Sequence, residues 1–135
     1  ARFGNISLNG GFLPDPYERS LTAGGPVSIQ DAVGARAAGT CRGYATSEPS
    51  VQLSYDGRSD LHIYTSGSAD TTLAINAPDG RWHCSDDEIG TDAGISFYGG
   101  QSGVYDIYVG TYSRGDQTTR LRISEIEMGY APSRK

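Results

Sequence analysis

Apolar and polar residues alternate with a period of two over much of the chain, the pattern of strands that turn one face toward a core. Val51, Leu53 and Tyr55 alternate with Gln52 and Ser54, and Leu61 and Ile63 with His62 and Tyr64. Thr71, Leu73 and Ile75 share a face, as do Tyr105, Ile107 and Val109, and then Leu121 and Ile123. These runs predict five strands. Between them lie the turn signals YDGRSD (55–60), APDG (77–80), YGGQSG (98–103) and SRGDQ (113–117), each short enough to join antiparallel neighbours. Pro78 presets φ early in its turn and Gly80 accepts positive φ later, so Asp79 is explained by the turn itself.

The N-terminal third is less regular. Asn5 to Leu8 and Phe12 to Leu21 read as strands, with Pro14 and Pro16 confining the second to an edge or a bent crossing because proline offers no ladder donor. Asp31 to Gly39 reads as a loop, its one candidate helical turn weakened by Gly34. No repeat or linker divides the 135 residues, so the expectation is a single all-β domain over 1–135. Its architecture is expected to be an antiparallel β-sandwich of about eight to ten short strands. The 19 glycines and 9 tyrosines support turns and strands over long helices.

A net charge of −5 with scattered cations gives no basic footprint for a nucleic acid. No apolar run is long enough to span a bilayer. Residues 1–4 carry no charged-then-apolar leader, so any signal peptide is expected to have been removed. Cys41 and Cys84 are too few for a structural zinc site and are not spaced as a redox pair. Their simplest use is one disulfide in an oxidising compartment, the alternative being two buried thiols in a reducing one.

Charge is concentrated in one stretch. From Ala69 to Asp92 the chain carries six carboxylates (Asp70, Asp79, Asp86, Asp87, Glu88 and Asp92) against the single cation Arg81. Converging carboxylates repel one another unless a cation offsets them, and calcium takes six to eight oxygens from irregular loops. The spacing is not that of an EF-hand. By pattern alone the stretch reads first as a solvated acidic loop whose side chains diverge.

The segments SADTTLAINAPDGRWHCSDD, SGVYDIYVGTY and LRISE resemble the secreted bacterial pre-peptidase C-terminal (PPC) family and its stand-alone relatives. The upstream segments FGNISLNGGFLPDPYERSLTAGG and CRGYATSEPSVQLSY extend the resemblance over nearly the whole chain. The resemblance implies a jelly-roll-like sandwich, secretion or residence in the periplasm, and calcium held by loop carboxylates. Carried onto this sequence, the implied metal ligands are Asp70, Asp86 and Asp87, with Asp92 as a fourth. Tying Cys84 to Cys41 then fixes the loop that presents them.

No GxSxG elbow is present, and His62 and His83 are the only histidines, both expected on the surface. The chain is therefore expected to be a non-enzymatic calcium-binding module whose partner is a secreted protein or a polysaccharide. One alternative is a carbohydrate-binding protein using Trp82, Tyr108 and Tyr112, with Tyr64 and Tyr98 as further candidate rings. A hydrolase is the third reading.

Overall fold

The computed structural model describes residues 1–67, 69–86 and 92–130. Among the described residues eleven strands and one short helix follow in the order β1 (Asn5–Asn9), β2 (Tyr17–Ala23), β3 (Val27–Ser28), α1 (Ile29–Val33), β4 (Tyr44–Ala45), β5 (Val51–Asp56), β6 (Leu61–Ser66), β7 (Thr71–Asn76), β8 (Trp82–Ser85), β9 (Gly94–Phe97), β10 (Gly103–Thr111) and β11 (Gln117–Ser124). All five predicted strands form. Two sheets face each other as an all-β sandwich, one of seven strands built around β10 and one of four in the order β2-β11-β6-β9.

The alternating residues meet in one core. Leu53, Ile75, Tyr105 and Ile107 from the larger sheet and Leu61, Ile63, Leu121 and Ile123 from the smaller are almost wholly excluded from water. In β10, Ile107 lies opposite Val51 on one side and Ile75 on the other, so three inward side chains share a row across the sheet. Pairing is antiparallel except between β1 and β5, which run parallel with Ile6 opposite Leu53.

Four local expectations are corrected. The second strand starts at Tyr17, past both prolines, so the stretch from Phe12 to Pro16 belongs to the loop that leads into it. Residues 29–33 form a helical turn, capped by Ser28, whose Oγ accepts from the Asp31 N–H at 3.2 Å; Gly34 follows it and does not break it. Strand β6 is buried on both faces, not one. The segment after β11 covers its outer side: the Tyr64 hydroxyl donates to the Tyr130 carbonyl, and a Cβ on Gly94 of the neighbouring strand would meet Met128 Sδ. His62, opposite Ser96 and with the Tyr98 ring 6.1 Å away, is 6% exposed and not a surface side chain.

The outer face of the larger sheet carries a second apolar cluster. Ile29 and Val33 of α1 pack with Cys41, Ala45, Ala74 and Cys84, with Trp82 and Tyr108 at its margin. Cys41 and Cys84 are bonded, their Cα atoms 5.0 Å apart.

Candidate functional site

The hairpin that carries the acidic stretch is built as its turn residues predict. Gly80 N–H bonds to the Ala77 carbonyl at 2.9 Å, Gly80 takes φ +82°, and Asp79 Oδ1 accepts from the Arg81 N–H at 3.0 Å. Asp79 thus serves the turn. The rest of the acidic stretch lies at the other end of the hairpin: Asp70 before β7, Asp86 after β8 and Asp92 before β9.

Thr65 on β6 draws two of these acids together. Its hydroxyl lies 2.6 Å from that of Thr71, the residue after Asp70, and accepts from the N–H of Ala93, the residue after Asp92, at 3.1 Å. The Thr65 N–H bonds to the Ala93 carbonyl at 3.0 Å, and the Asp70 carbonyl accepts from the Tyr112 N–H at 3.0 Å. Thr65, Thr71 and Ala93 are all buried, so this small polar knot is satisfied internally and fixed.

Its electrostatic consequence falls on Asp92. Burial holds the Asp92 carboxyl above the ordinary carboxylate range, Arg122 pulls it down, and the charge of Asp70 raises it further. Burial and Asp70 together outweigh the arginine, whose Nε is also engaged by Glu18 Oε2 at 2.7 Å. Asp92 Oδ1 is buried with no hydrogen-bond partner among the described residues. Asp86 is half-buried and lines an open cleft of about 550 Å³ with Ala38, Gly39, His83 and Cys84. Asp87 lies outside the described residues, as does Glu88. Among the described residues, no three His, Cys, Asp or Glu side chains stand together in a group able to hold a metal.

One wall of the cleft is clamped to β8. Ala38 N–H bonds to the Trp82 carbonyl at 3.0 Å, Cys84 N–H bonds to the Ala38 carbonyl at 2.8 Å, and the disulfide follows three residues later. Gly39 takes φ +87° against this strand, where a Cβ would lie 2.1 Å from the Cys84 carbonyl oxygen. Only glycine allows that approach.

The aromatic candidates separate. Trp82 and Tyr108 meet with ring centroids 5.5 Å apart, whereas Tyr112, 48% exposed, is not among the residues that line their groove. Tyr64 is buried beneath the C-terminal segment, and Tyr98 is 71% exposed with its ring 6.1 Å from His62.

His62 Nδ1 lies 2.7 Å from Ser96 Oγ, a pair the strand alternation did not anticipate because the two residues face each other across β6 and β9. Among the described residues no carboxylate bonds to His62, so the orienting member of a Ser-His-Asp triad is not present there. His83 is half-buried, edge-on to Phe97 at 5.0 Å.

No family model matches the chain, and no curated protein matches it. Six chains among solved structures do match. One is PliG of Aeromonas hydrophila, a periplasmic inhibitor of g-type lysozyme, at 11% identity and a TM-score of 0.39 over 89% of this chain and 96% of that one.

Proposed function

We propose that the protein is an exported, non-enzymatic β-sandwich that binds calcium at the Asp70 and Asp92 end of the β7–β8 hairpin and serves as a binding module for an extracellular or periplasmic protein or polysaccharide. The observation that carries the reading is the buried Oδ1 of Asp92, without a hydrogen-bond partner among the described residues, beside the charge of Asp70. A hard cation satisfies that oxygen and removes the repulsion at the same time. The resemblance to PPC-like proteins also implicates Asp86, which follows β8 directly, and Asp87, which lies outside the described residues.

The disulfide supports export, since such bonds persist in oxidising compartments. Among the described residues no helix is long and apolar enough to cross a membrane. The test is thermal unfolding of purified protein with calcium and with chelator, alongside elemental analysis. A higher melting temperature in calcium and one bound ion per chain support the site; equal melting temperatures with no bound metal remove it.

A further inference from the structure

A second site lies on the opposite side of β8 from the core. Alternation places Ala74 between Tyr108 and Cys84 on the outer face of the larger sheet, because Ala74 pairs with both residues in register. A small side chain flanked by Tyr108 and, two residues along β8, Trp82 leaves a hollow. Helix α1 roofs it without filling it. The result is a groove of about 210 Å³ with an apolar floor of Ile29, Val33, Ala45 and Ala74, and the Trp82–Tyr108 pair as a wall.

The chemistry of the rim is one-sided. Arg36 is the only charged residue among those lining the groove, and its guanidinium makes only a long 3.5 Å contact with the Ala32 carbonyl among the described residues. The nearby acid Asp106, which together with burial raises the Tyr108 hydroxyl, is engaged by Gln52 Nε2 at 2.8 Å. In a chain of net charge −5, an uncompensated cation over an apolar hollow is selective. It favours a ligand with an apolar body and one anionic head.

We infer that this groove binds a small apolar carboxylate, its ring or branched chain against Trp82 and Tyr108 and its carboxylate at Arg36. The volume fits a single ring with a short arm, since a dry cavity of about 150 Å³ holds benzene. A sugar is a poorer match. Its hydroxyls need polar partners around the ring, and the floor is apolar, the only hydroxyls of the lining being those of Thr46, Ser47 and Tyr108 beside the Arg36 head.

Trp82 is the only tryptophan, so its emission reports the groove directly. The whole protein is titrated with 3-phenylpropionate, 3-phenylpropan-1-ol, 3-phenylpropylamine and methyl glucoside. The carboxylate is expected to give a saturable change, with the alcohol about fivefold weaker and the amine weaker still. Arg36→Gln, at an exposed position, should lower carboxylate affinity to that of the alcohol and leave the alcohol unchanged. Ala32→Phe, which fills the mouth of the groove from the exposed side of α1, should weaken both. No saturable response to the carboxylate, equal binding of carboxylate and amine, tighter binding of the glucoside, or an Arg36→Gln variant with unchanged carboxylate affinity would each overturn the assignment.

Discussion

Replacing Asp92 by asparagine should change stability in opposite directions with and without calcium. The side chain keeps its shape and loses its charge. In the metal-free protein the folded state favours the neutral acid, because burial and Asp70 outweigh the attraction of Arg122. A carboxyl whose folded pKa is raised contributes most below its unfolded value, near 3.8, and the contribution is lost as pH rises through the folded value. At pH 7 the charged Asp92 is therefore a liability that asparagine removes. The chelated variant should melt above the chelated parent at pH 7, and the gap should close as the pH falls toward 4. In calcium the order reverses: free ion at a hundred times the dissociation constant stabilises the parent by about 2.7 kcal/mol, roughly 10 °C for a chain of this length, and the variant loses much of that gain. Scanning calorimetry of both proteins in both conditions across pH 4 to 8 reads the crossing. A chelated variant that melts below its parent at pH 7, or calcium shifts of equal size in the two proteins, would refute the reasoning.

Three further outcomes are expected. Reducing and alkylating the Cys41–Cys84 bond, which closes a separation of 43 residues, should cost about 4 kcal/mol on the chain-entropy model, measured by denaturant unfolding with and without reductant. Gly39→Ala should destabilise by more than about 2 kcal/mol, since it meets both a positive φ and the Cys84 carbonyl, whereas Gly80→Ala, with open space around its Cβ, should cost only the strain of its φ. Tyr64→Phe should cost about 1 kcal/mol through its lost bond to the Tyr130 carbonyl, and should speed amide exchange in the segment after β11 more than in β10.

Much of the sandwich is legible in the sequence because alternation and turn chemistry act over a few residues. The APDG turn shows this best: proline, aspartate and glycine each perform there the role their own covalent structure dictates. What alternation does not carry is what lies on top of a strand. The pattern of β6 reads as half-exposed, yet its outer face is buried too: a segment some 60 residues later closes over Tyr64, and His62 is buried beside Ser96 and Tyr98. The helix at residues 29–33 was obscured because its cap is Ser28, three residues upstream of the aspartate that draws the eye. The acidic stretch was visible as a run of charge, but Thr65, which brings Asp70 and Asp92 together, sits on another strand and carries no signal of its own. The outer groove was half legible. Trp82 and Tyr108 were candidates by residue type, while the hollow between them comes from Ala74, an unremarked small residue.

Both candidate sites depend on β8, and that dependence gives the disulfide a role beyond general stability. Strand β8 is four residues long and, among the described residues, pairs with β7 alone at the edge of its sheet, the position least supported by neighbours. Trp82 at its start supplies the wall of the groove, and Asp86 just past its end lines the acidic cleft. Cys84 lies between them. Its bond to Cys41, with the two backbone bonds at Ala38, gives this edge a second flank that extended pairing would otherwise provide. Loss of the bond should therefore free the strand locally before the sandwich opens, because the inward residues of β10, β5 and β11 are held by other strands. Hydrogen exchange on the reduced, alkylated protein is expected to show Trp82 to Ser85 losing protection while Tyr105 to Val109 retain it. Uniform loss across both strands would show instead that the bridge acts only through the unfolded chain.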